Sequence, residues 1–152
     1  MPLNPGTLTS ALLRLDVPEG PKSIPEAAQA WADAWKSFIQ ESIYLTPGVG
    51  ELMALTFKNV LQPSFTPTPV PGTFLLGLQG AMLAGLASAI WLPSVTSLTP
   101  PPSPFPPMAL SVIATGMASS DKNPPRVALA LAIYTWTITG MVVTPSGPLP
   151  LS

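Results

Sequence analysis

Thr73–Leu92 reads TFLLGLQGAMLAGLASAIWL, twenty residues without a charge. A helix of that length is about 30 Å long, enough to cross the hydrocarbon core of a bilayer. It would serve equally well buried by protein, and the kind of molecule depends on which holds. Polarity is uniform along the stretch, but side-chain size is not. Gly77, Ala81, Gly85 and Ser88 form one small-residue face, while Leu75, Leu78, Met82, Leu86 and Ile90 lie on another. Small residues at this spacing let a neighbouring helix approach closely, in membranes and in tightly packed soluble interiors alike. Thr73 is placed to cap the helix and Pro93 to stop it.

The flanks favour burial by protein. The nearest Lys before the stretch is Lys58 and the nearest after it is Lys122, so the basic anchors that orient a span are missing. A second uncharged stretch, Val127–Val143, carries Tyr134 and Trp136 in its middle, where a span would carry them at its boundaries. Trp91 alone is placed as a boundary residue. Proline-rich segments bracket Thr73–Leu92 closely on both sides.

Composition agrees. The chain has 152 residues, a one-domain length, with 22 prolines, 9% charged residues and 47% hydrophobic residues. Ordinary soluble domains carry about 25% charge. Low charge with abundant apolar side chains is the reverse of the signature of disorder. A surface with so little charge implies cover by a neighbour. The net charge of −1 and six scattered Lys and Arg leave no basic patch for nucleic acid. Ten of the charged residues lie between Arg14 and Lys58, none between Asn59 and Ser120, and none after Arg126.

The pattern predicts an all-α fold: about five short-to-medium helices in a small bundle, joined by proline-rich extended linkers. Residues 1–22 read as an N-terminal arm with a short helix, capped by Thr7 or Thr9 and followed by Pro18. Residues 23–152 read as a helical domain. Its first helix opens on the capping box Ser23-Ile24-Pro25-Glu26 and runs to about Tyr44. Trp31, Trp35, Phe38 and Ile39 recur there at helical spacing. That stripe suits a core face, or else a ridge that binds a partner. A second helix covers roughly Gly50 to Leu61. Linkers are expected at 62–72 and 93–107, the latter holding the Pro100–Pro107 run, read as a rigid spacer. Met108–Ser119 is a further helix. Asn123 caps the last, with Pro124 in its first turn; it ends near Thr139 with Gly140 as its stop, although YTWTITGMVV also suits a strand. Residues 140–152 form an extended tail.

Chemistry is sparse. No His and no Cys are present, which removes the usual zinc, haem and nucleophile–histidine arrangements. Glu26, Asp33, Glu41 and Glu51 show no acid–base pairing in an apolar setting, and no glycine-rich phosphate loop occurs. The expectation is a protein that is not an enzyme, with no catalytic residues, cofactor or metal.

The helix AAQAWADAWKSFI and the ending YTWTITGMVVTPSGPLPLS resemble a group of small structural proteins of tailed bacteriophages. The matching positions are Trp31 and Ala32, Trp136, Thr139 and Gly140, and Ser146–Pro148. The resemblance covers most of the chain in layout and about thirty residues in motif. It implies a virion component of the tail, baseplate or neck, assembled in the host cytoplasm. Its partners would be other virion proteins and copies of itself in a symmetric assembly, without nucleic acid. Trp31, Trp35, Phe38, Trp91, Phe105, Tyr134 and Trp136 are the expected packing or interface anchors, and the linkers and tail are expected to lie in grooves of neighbouring subunits. The alternative is a small holin-like membrane protein with one or two spans.

Overall fold

A computed structural model describes residues 3–16, 23–48, 50–65, 70–101, 107–118, 121 and 123–152. Among these the fold is mainly helical, with six α-helices and a small three-stranded sheet.

Helix α1 spans Pro5–Leu13. Its cap is Asn4, whose side chain accepts the Gly6 N–H at 2.8 Å. Thr7 and Thr9, the expected caps, lie inside the helix, and the Thr9 hydroxyl donates back to the Pro5 carbonyl. Pro18 lies outside the described residues. Helix α2, Ile24–Ile39, starts as its sequence predicts: Ser23 is extended and its Oγ accepts the Glu26 N–H at 3.3 Å. It stops five residues short of Tyr44. Glu41 and Ser42 turn their N–H groups to Phe38 and Ile39, tightening the last turn. Tyr44 and Thr46 then bond the backbone of Leu92 and Ile90, around a bridge between Leu45 and Trp91.

Helix α3 is Glu51–Leu61, one residue inside the expected range. The linker predicted at 62–72 is helical at both of its ends, and its residues 66–69 lie outside the described residues. Gln62–Ser64 makes a 3-10 turn, and α4, Pro71–Ser88, begins two residues before Thr73. Val70 precedes it in extended conformation, and the missing N–H of Pro71 falls where no intrahelical partner exists. Ala89 is extended, and Ile90–Leu92 continue into the bridge with Leu45. The uncharged stretch is therefore a helix followed by a short extended segment. No helix among the described residues is long and apolar enough to cross a membrane.

The second linker holds strand β1, Ser97–Thr99. Residues 102–106, most of the Pro100–Pro107 run, lie outside the described residues. Helix α5 is Pro107–Ala118 and α6 is Asn123–Thr137. Asn123 is the first residue of α6 and not its cap; its N–H donates to Asp121 Oδ1 at 3.0 Å. Gly140 follows the end of the helix, its N–H on the Thr137 carbonyl.

The tail is a correction to the sequence reading. Strands β2, Met141–Thr144, and β3, Gly147–Pro150, form a hairpin, and β1 pairs antiparallel with β2, giving the order β1-β2-β3. Gly147 turns the hairpin at φ +105°, a conformation that L side chains rarely adopt. Leu151 is fully buried, and the Ser152 carbonyl accepts hydrogen bonds from Ile43 N–H and Ser42 Oγ. The tail folds onto its own chain and is not a free arm for a neighbour.

One hydrophobic core joins these elements. α1 packs on α2 and α6, α2 on α3, α3 on α4, and α5 on both α4 and α6. Leu8, Leu12, Phe38, Phe57, Met82 and Ile133 are among its buried side chains. Burial of each such side chain contributes about 1.5–3 kcal/mol.

Candidate functional site

The small-residue face of α4 receives specific partners from within the chain. A Cβ on Gly77 would stand 2.5 Å from Ser64 Cβ, and one on Gly85 would stand 2.5 Å from the Trp35 ring. Ala81, between them, is fully buried. The spacing that let a helix approach closely was legible in the sequence; that Ser64 and Trp35 fill the gaps was not.

The aromatic anchors separate into two groups. Trp35 stacks on Phe57 with ring centres 4.9 Å apart. Phe38 is buried edge-on to the half-buried Tyr134, and Trp136 is buried in α6. Trp35, Phe38 and Trp136 are thus turned into this chain's own core. Trp91 is half-buried at the bridge to Leu45. Phe105 lies outside the described residues.

Trp31 belongs to the rim of a pocket. Its ring meets Phe74 edge-on at 5.3 Å, and Phe74 meets Phe65 at 5.7 Å. These rings, with Val112, Ile113 and Met117 of α5 and Leu129 of α6, wall a cavity of about 290 Å³. Among the described residues, Arg126 is the only charged one of its lining. Its guanidinium lies over the Trp31 ring, 5.5 Å from the centre, and donates to the Leu12 carbonyl at 2.8 Å. It ties α6 to the end of α1. The polar neighbour, Ser64, gives its hydroxyl proton to the Leu61 carbonyl. Its described lining thus offers shape and apolar surface. Among the described residues no three His, Cys, Asp or Glu side chains gather as metal ligands.

A further apolar surface lies outside. Leu52, Leu55 and Val60 are exposed on the outward side of α3, around Thr56 and Asn59. Leu76 of α4 is 69% exposed. Gly80, one turn further along α4, approaches Val60, so the two rows adjoin. A second such face runs along α6 through Val127, Ala128, Leu131 and Thr135. Single exposed apolar residues are ordinary, whereas a contiguous uncharged row marks a contact surface. Periodicity missed the α3 row because it sits on the same helix as a genuine core face formed by Met53, Ala54, Phe57 and Leu61.

Fold and surface together define a small helical domain closed at one side by a three-stranded sheet. Comparison with family models, with curated proteins and with solved structures gave no match.

Proposed function

We propose that this chain is a non-enzymatic structural component of a tailed-phage virion, in the tail, baseplate or neck, acting by packing against other virion proteins and copies of itself. The observation that carries the packing role is the uncharged outward side of the α3–α4 pair, where Leu52, Leu55, Val60 and Leu76 are exposed together. Charged residues are too few to keep such a surface apart from its like in a crowded cell. The phage assignment comes from the layout of Trp31-Ala32 and of Trp136, Thr139 and Gly140.

The contact surfaces in this reading are helical faces. The tail is already spent in the sheet, Pro101 is buried against Gly140, and Pro107 opens α5. Deleting Pro100–Pro107 would therefore damage the fold as well as any contact. Mass spectrometry of purified virions tests the assignment. Stoichiometric copies in the particle are the expected result. Absence from particles, or retention in the membrane pellet after carbonate extraction, would overturn it.

A further inference from the structure

We infer that Pro148 and Pro150 close the β3 edge of the C-terminal sheet against strand addition, so that a second copy of this chain cannot extend the sheet on that side through backbone hydrogen bonds. Strand β3 is an edge strand, since the order is β1-β2-β3. Edge strands present unpaired N–H and C=O groups on which another chain can build. In an antiparallel ladder alternate residues turn both groups to the same neighbour. The Leu151 N–H donates to the Gly140 carbonyl at 2.8 Å, which sets the alternation. Residues 147, 149 and 151 turn toward β2, and residues 148 and 150 turn away.

The other side of β2 agrees. Val143 pairs with Pro148, and its carbonyl accepts from Thr96 on the β1 side, away from β3. Both outward positions of β3 are proline, and both are exposed. Proline has no N–H, so this edge offers carbonyls and no donor. Prolines at 147 or 149 would instead remove hydrogen bonds of the hairpin itself. The placement keeps the donors of the hairpin and withholds both outward ones.

The test restores the donors. In Pro148→Thr/Pro150→Thr, sedimentation velocity over a range of concentrations should show at least a doubling of mass over the parent chain at equal concentration. Amide exchange should find the new N–H groups of residues 148 and 150 protected in the larger species. An unchanged mass, with the Val142 and Leu149 amides as protected as in the parent, would overturn the inference. Should the double variant unfold, Pro148→Thr and Pro150→Thr singly each restore one donor. Association by neither would overturn the inference equally. Every variant keeps the α3–α4 face, so a failure here leaves the packing role standing.

Discussion

Gly85 and Trp35 fit as a hole and its plug: the indole edge occupies the space that a Cβ at residue 85 would need, 2.5 Å from it. The same ring stacks on Phe57, which leaves it little freedom to retreat. Gly85→Ala therefore sets two effects against each other. Alanine gains about 1 kcal/mol of helix propensity. Overpacking costs about 1–3 kcal/mol. The second should win, lowering the urea midpoint, and Trp35→Phe should be less harmful in the Gly85→Ala background than in the parent. A higher midpoint for Gly85→Ala would contradict the close approach.

Gly72 gives the opposite sign. It stands in the first turn of α4 with nothing within 4 Å of an added Cβ. Gly72→Ala should stabilise by about 0.4–1 kcal/mol, chiefly by restricting the unfolded chain. Thermal melts of the two alanine variants side by side check the contrast.

Ser23→Ala should cost about 0.5–2 kcal/mol, because it removes the acceptor of the Glu26 N–H. Ser23→Asp, which restores an acceptor near the positive end of α2, should recover most of the loss. Chemical denaturation of the three proteins reads this directly.

Arg126→Lys keeps the charge and loses the planar fork that reaches the Leu12 carbonyl while lying over Trp31. A loss of about 0.5–1.5 kcal/mol is expected. Amide exchange should quicken in α1 and leave α3 and α4 nearly unchanged. Uniform quickening across all helices would contradict a local tie.

Leu55→Glu/Leu76→Glu addresses the outward face. Both side chains are exposed, so each change should alter stability by about 0.5 kcal/mol or less. Incorporation into particles should nevertheless fall sharply. Normal incorporation would remove this face from the assembly.

Much of the fold is legible in the sequence because its signals are local. Ser23 and Pro25 mark the start of α2, Gly50 the approach to α3, and Gly140 the end of α6. The stripe of Trp35, Phe38 and Ile39 announces a buried face. The sheet was hidden for a physical reason. Ser97–Thr99 has three residues, too few to show alternation, and its partner strand is far along the chain. Prolines 148 and 150 read as an extended tail, although only their inward neighbours need N–H groups. Tyr44 likewise looked like more helix, since its pairing with Leu92 has no trace near Tyr44 itself. The pocket depends on Phe65, Phe74, Met117 and Arg126 meeting from separate elements, which no window of sequence shows.

Strand β1 meets β2 across a long detour, since Thr96 and Val143 are 47 positions apart. Bringing such distant points together carries an entropy cost that grows with the logarithm of the intervening length. The α3–α4 pair needs only a short reversal. The bond from Arg126 to Leu12 spans 114 positions, a longer detour still. Folding speed should accordingly be governed by the meeting of these distant segments more than by the local α3–α4 pair.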